Sequence, residues 1–502
     1  MSLLISQMKD NIIDGLQSIN GAPPELYKTF LLKFLDSFSY FSFSLVFTLF
    51  LTADFGYSDL SAGTIYGAWG ALVTLFGLLT GVVVDSLGVA TSLRIGFALQ
   101  LVGKCFIFYT TSRATLMIGI SILSLGGCLG IPVLSIGIRR YTIKKNRGFA
   151  FGLFYVIMNV AALISGPVVD YCTILYKNDT GADDQKNLAA AYENGETVEW
   201  SVTGYRLIVL LGIFTNILAC IITTTVKEIK ACEPDDDDSG EEGTSNAVKG
   251  FQPDEASKYE IIKETLQSSN FWRFLCVIMV TLNVRMIFRH LDATLPKYML
   301  REFGENVPKG TIYSINPFLI ILLVPLISAA TSNVDPLVMI HHGCYISAAS
   351  VFVLAISTSI PACVIFVTIL SIGEAIWSPR LYDYTCSIAK EGREGTYMAL
   401  SSAPLFLVKL PVGMMSGYLL QKYCPEDGPR DSKLMWLIIG LTTATSPFLL
   451  TMCWSYISKK EEKEDDGITN PSYSGVPVYE LSPLDDDAKA KGLTRRSSPP
   501  ME

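Results

Sequence analysis

Between residues 283 and 296 the sequence reads NVRMIFRHLDATLP, with Arg285, Arg289, His290 and Asp292 at the end of an apolar run that begins near Phe271. Guanidinium groups bind carboxylate and phosphate oxygens through paired N–H donors. Imidazole and carboxylate groups exchange protons. On a helix, Arg285, Arg289 and Asp292 stand at i, i+4 and i+7 and share one face, with His290 about 100° away. Asp292 can pair with Arg289, which leaves one net positive charge on that face. A second group of this kind, Glu374, lies midway along the apolar run 361–385, and Arg380 and Asp383 follow it at i, i+3 spacing, as a pair would. A carboxylate with no cationic neighbour on its own segment is able to take up and return a proton, which would make Glu374, with Asp292 and His290, a proton-coupling group.

A charge inside a lipid-spanning helix costs about 2.5–3.5 kcal/mol even on the lenient insertion scale. Three arrangements sustain such a charge. The face lines a wet cavity and binds a solute, it forms a gate held by salt bridges, or its arginines snorkel to the interface.

The elements that hold these groups are apolar runs at 28–52, 61–84, 91–111, 114–137, 148–172 and 204–226, then 271–299, 311–331, 337–359, 361–385, 396–420 and 433–457. Each is long enough to cross a hydrocarbon layer of ~30 Å as a helix. Charged residues make up 17% of the 502-residue chain, mean hydropathy is +0.38, and most charges sit in the tails and the centre. The pattern is an all-α polytopic membrane protein with about twelve spans. Its parts are an N-terminal segment 1–27, a first bundle 28–226, a linker 227–269, a second bundle 270–457 and a disordered tail 458–502. The net charge of -8 comes largely from runs such as DDDD (235–238) and EEKEDD (461–466). Such runs are solvated, and nothing in them suggests nucleic-acid binding. Within the linker, KYEIIKETLQ has the pattern of an amphipathic helix lying along the membrane.

Loop charge sets the orientation. IRRYTIKKNR (138–147) is basic, and the loop at 53–60 carries no Lys or Arg. Both termini and the linker are therefore expected in the cytoplasm, in the plasma membrane or an endomembrane. The loop 173–203 then lies outside, where Asn178 begins a glycosylation sequon; Lys422 and Arg430 are exceptions to the charge rule. The N-terminus lacks a basic region followed by an apolar core, so the first span is expected to act as the targeting signal. The 11 cysteines are scattered, with no metal-ligand spacing, so no metal and no cofactor is expected. Cys172 and Cys424 fall near the same face, either bridged or as two thiols.

Gly81-xxx-Asp85-xx-Gly88 joins the second and third spans and resembles the signature loop of the major facilitator superfamily, where the Asp takes part in a contact that holds one conformation shut. The basic residues that usually follow are reduced to Arg94. A narrower resemblance is to the proton-dependent oligopeptide transporter (peptide/nitrate) family. GGCLGIPVLSIG (126–137) is similar to its glycine-rich run before Lys-Pro, FYVIMNVAALISGP (154–167) to its FYxxIN signature, and GEAIWSP (373–379) to its Gly-Glu followed by Ser-Pro. LKFLDSFSYFSF (32–43) aligns with its ExxERFxYY motif. Two departures stand out: Lys33, Asp36 and Ser37 replace that motif's charged groups, and Ile131 replaces the Lys before proline.

The resemblance implies two six-helix bundles rocking about a central site. It also implies a secondary active transporter of a small polar solute that is peptide-like, amino-acid-like or otherwise carboxylate-bearing, with proton coupling as one option. The lost motifs keep open an organic or inorganic anion uniporter or exchanger, or a nontransporting receptor or assembly subunit. No phosphate-binding glycine motif or nucleophile constellation points to an enzyme. The expected partners are the solute, protons and the bilayer, with the chain as a monomer.

Arg285, Arg289 and Glu374 are the expected binding groups, and Asp85, Arg94, Arg380 and Asp383 the gating groups. Tyr40, Tyr66, Tyr155 and Asn159 either line the cavity or pack helices. Lys33 pairs with Asp36, snorkels to the inner interface or serves the cavity, and Lys104 and Lys409 have no assignable role. His341 and His342 suit an interface. Pro317, Pro325, Pro404 and Pro411 mark bends in the eighth and eleventh spans. In the tail, Ser497 and Ser498 are phosphate acceptors, and Tyr473 begins a sorting pattern.

Overall fold

The computed structural model describes residues 17–175, 190–192, 194, 199–228, 267–331, 334–388 and 408–458. Asn178, Pro404, the linker helix, Tyr473, Ser497 and Ser498 lie outside the described residues, as do the side chains of Asp85, Ile131 and Asp383. All regular structure among the described residues is helical.

The first bundle comprises α1 (Pro24–Phe55), α2 (Asp59–Leu87), α3 (Val89–Tyr109), α4 (Arg113–Cys128), α5 (Ile131–Tyr141), α6 (Lys144–Leu175) and α7 (Gly204–Thr225). The second comprises α8 (Ser269–Val280), α9 (Leu282–Ala293), α10 (Leu295–Phe303), α11 (Lys309–Ala330), α12 (Pro336–Ser350), α13 (Phe352–Ile356), α14 (Ile360–Ile388), α15 (Lys409–Tyr423), α16 (Ser432–Met452) and α17 (Trp454–Ile457). Eleven stretches among the described residues are long and apolar enough to span a membrane, with α4–α5, α8–α9 and α12–α13 each counting as one. The twelfth expected span is represented by α15.

The polarity gradient is the reverse of a water-soluble protein's. Phe214, Ile221, Phe318, Leu441 and Phe448 are exposed, whereas Lys33, Asp36, Lys104, Arg285, Asp292 and Lys409 are buried. Lipid rewards the first set and cannot solvate the second.

The seventh span is broken twice, and each break has a local cause. At Thr281 a residue from α16 enters the backbone ladder: Ser446 Oγ donates to the Val280 carbonyl at 2.5 Å and accepts from the Val284 N–H at 3.1 Å. At Thr294 the break belongs to Pro296, which has no N–H for the Asp292 carbonyl four residues earlier. The breaks isolate α9 as a short rod carrying Arg285, Arg289, His290 and Asp292.

Two long crossings join the bundles. α2 packs along α15, and α6 along α11. At Gly63–Gly413 and Gly166–Gly310 a Cβ would collide with the facing glycine's carbonyl oxygen. Small residues at these points let the backbones touch.

Candidate functional site

A carboxylate in α9 collects the first group of contacts. Asp292 Oδ2 accepts from Ser44 Oγ at 3.0 Å and from the Tyr66 hydroxyl at 3.3 Å, both across the bundle boundary. Arg289 Nη1 lies 3.4 Å from the same oxygen and 3.5 Å from the Tyr40 hydroxyl. The 289–292 pairing expected from spacing is therefore present, and Tyr40 and Tyr66 join it.

Lys409, at the start of α15, completes the cluster. It is 1% exposed, and its Nζ stands 3.9 Å from the Trp69 ring centroid, 4.8 Å from that of Tyr40 and 4.9 Å from that of Tyr66. Its stem runs against Gly70, where any side chain would strike it.

The remaining expected site residues divide among other surroundings. Glu374 on α14 accepts from Asn316 Nδ2 at 2.8 Å, and Asn316 also donates to Ser371 Oγ at 3.1 Å. Arg285 places its guanidinium 5.9 Å over Trp377 within the second bundle. His290 turns toward α15: its Nδ1 is 2.7 Å from Thr294 Oγ1, which donates to Ser416 Oγ. Asn159 bonds back to the Tyr155 carbonyl of its own helix at 2.9 Å. Arg94 ties α3 to the end of α7 through the Thr223 and Val226 carbonyls. Arg380 reaches Thr331 O at 2.6 Å, at the carbonyl-rich end of α11, a position that suits a cation. Cys172 and Cys424 are free, buried thiols.

Inside the first bundle lies a further polar group. Asp36 accepts from Gln100 Nε2 at 3.1 Å rather than pairing with Lys33, whose ammonium stands 4.6 Å over Phe154. Lys104 donates to Ser39 Oγ and to Asn216 Oδ1.

Sequence reasoning passed over the clasp at the end of the bundles that carries Asp59 and Asp170. Arg301 forks onto Asp59 at 2.8 and 2.9 Å, and Lys297 Nζ adds a contact at 2.9 Å. Next to it, Asp170 on α6 accepts from the Gly310 N–H, the Thr311 N–H and Thr311 Oγ1 at 2.7, 2.7 and 2.8 Å. Pro308, the residue before α11, provides no side-chain cap, so one bundle supplies the cap for a helix of the other. Lys309 donates to Thr173 at 2.9 Å. In the nearby loop, burial raises the Glu426 carboxyl above its ordinary range against the pull of Arg301. An apolar-run search cannot find the clasp, because Asp59 and Asp170 lie at run ends, where acidic residues are common.

Known structures share the fold that holds these groups. A POT family transporter in complex with 5-aminolevulinic acid aligns at TM-score 0.63 and 16% identity, covering 87% of this chain and 97% of that one. The nucleoside transporter NupG aligns at 0.63 and 12%, covering 85% and 99%. A bacterial homologue of the human lysosomal transporter Spinster, inward-facing and unoccupied, aligns at 0.64 and 15%, covering 86% and 95%. No curated protein matches the sequence. The model of the Major Facilitator Superfamily matches residues 29–404. The chain therefore belongs to the Major Facilitator Superfamily and is a transporter-fold protein of the membrane.

Proposed function

We propose that this chain is a secondary active transporter that moves a small, carboxylate-bearing polar solute between its two bundles by alternating access. The observation that carries this reading is the buried charged cluster on the bundle boundary. There Arg289, Asp292 and Lys409 of the second bundle meet Tyr40, Ser44, Tyr66 and Trp69 of the first. In hydrocarbon such groups persist when they border a passage that water and cargo enter.

Charge supports the substrate class. In the boundary cluster the cations Arg289 and Lys409 stand against one carboxylate, Asp292. The surplus is positive, which favours a solute bearing a carboxylate or another anionic group. Glu374, held by the neutral Asn316, is the proposed proton-exchanging group.

The basic loop 138–147 supports placing both termini in the cytoplasm, with the Asp59 clasp on the far side. In that frame the chain is closed toward the outside. The proposed cycle opens the clasp, admits solute to the cluster, and closes the clasp again before release on the other side.

The test is uptake by purified protein in proteoliposomes from a panel of peptides, amino acids, nitrate and dicarboxylates, with and without a pH gradient. Transport of at least one carboxylate-bearing member is expected. Flat traces for all, together with no ligand-dependent thermal shift, would assign the chain to a nontransporting receptor or assembly role.

A further inference from the structure

The cluster described above contains one contact that carboxylate binding does not use. The Lys409 ammonium has rings on three sides, Trp69, Tyr40 and Tyr66, all from the first bundle. Among the described residues no carboxylate forms an ion pair with it. Arg289, a like charge, and Asp292, itself taken by Arg289, Ser44 and Tyr66, are the ionised groups nearest the box. The faces of aromatic rings attract a cation through their quadrupoles, most strongly where water is excluded.

The box is held rigidly. Phe43 and Phe47 meet the Trp69 ring edge to face at 5.7 and 5.3 Å between centroids, and Tyr66 does so at 6.3 Å. A cage fixed before binding spends little entropy on its guest. The guest, by contrast, is not fixed to the box. The rings belong to α1 and α2, whereas Lys409 belongs to α15, and the two sides meet through close glycine contacts such as Gly63–Gly413 and Gly67–Leu410 rather than through a covalent tie. When α2 and α15 part, Lys409 leaves with its own bundle and the box opens to the passage.

We propose that the Tyr40–Tyr66–Trp69 box is a binding site for a substrate ammonium group, and that Lys409 is a tethered stand-in which refills the box as the bundles close. The solute is then a zwitterion, with its ammonium in the box and its carboxylate toward Arg289. This deepens the transport reading and rests on it for the carboxylate half alone. The exchange also gives a reason for closure after release: an emptied box in a dry interior would lose its cation, and Lys409 supplies one.

The probes are glycine betaine and its uncharged carbon isostere 3,3-dimethylbutanoate, which share shape and carboxylate and differ only in the cationic centre. Binding is measured by calorimetry on purified Lys409→Met, whose apolar stem leaves the box without its internal cation. Betaine is expected to bind about tenfold or more tighter than the isostere. It should also bind more tightly to Lys409→Met than to the parent protein, where Lys409 competes. Adding Trp69→Leu should erase the preference. Equal affinities of the two probes for Lys409→Met would overturn the ammonium site while leaving the carboxylate reading in place. Absence of binding by both probes would overturn it too, as would a preference that survives Trp69→Leu. Should Lys409→Met not yield folded protein, Lys409→Gln is measured in its place with the same outcomes.

Discussion

The Asp59 clasp and the buried boundary cluster use the same side-chain types to opposite effect. At the clasp both carboxylates are answered. Asp59 meets two cations at 2.8–2.9 Å, and Asp170 fills the uncapped N-terminus of α11 with three short bonds. In the cluster the cations are answered loosely, Arg289 at 3.4 Å from its carboxylate and Lys409 by rings alone. On the proposed reading, tight pairing makes a contact that closes, and the looser pairing of Arg289 leaves charge for a cargo to complete.

The comparison breaks first if the bundles cannot touch. Gly413→Leu places a branched side chain against the Gly63 backbone. Uptake in proteoliposomes is expected to fall to background while the protein remains folded and monodisperse. Retained uptake would mean that closure does not use this crossing.

Next in size is Asp59→Asn, which strips two buried cations of their counterion. Removing one partner of a buried pair costs about 3–5 kcal/mol. That is enough to move a two-state equilibrium by more than a hundredfold. Hydrogen–deuterium exchange in α2 and α15 is expected to rise, because the clasped population falls. Unchanged exchange would remove the clasp from the gating role.

Asp170→Asn is a milder version of the same test. The amide keeps one acceptor for the α11 N-terminus and loses the charge, and a cap of this kind is worth about 0.5–2 kcal/mol. Faster exchange confined to residues 309–313 is expected, with a smaller effect on transport than Asp59→Asn.

The smallest change expected is a change of shape rather than of rate. Glu374→Gln preserves the bond from Asn316 and removes the titratable proton. Uptake should persist at one pH and lose its pH dependence. A profile matching the parent protein's would take Glu374 out of coupling.

Much of the fold was legible because lipid enforces a simple rule: apolar runs of sufficient length become spanning helices. The 289–292 pair was legible because both partners lie on one helix at a fixed spacing. The rest depends on which helices become neighbours. Lys409 is visible as a lysine in an apolar run, but its rings stand more than three hundred residues earlier, at 40, 66 and 69. His290 shares a helix with Arg289 yet bonds Thr294 rather than joining the Asp292 cluster, because one residue of rotation carries it to another face. Asp36 and Lys33 have the spacing of a pair, and Gln100 of another helix takes the carboxylate. Local spacing predicts contacts within a helix; contacts between helices are settled by the packing.

The central claim, that the loosely paired Arg289 awaits a carboxylate, is tested most directly by Arg289→Glu. Uptake of one anionic and one cationic solute is measured side by side in the same proteoliposomes. The account predicts that uptake of the anion collapses while that of the cation is kept or raised. Equal losses of both would contradict it and make Arg289 part of a gate.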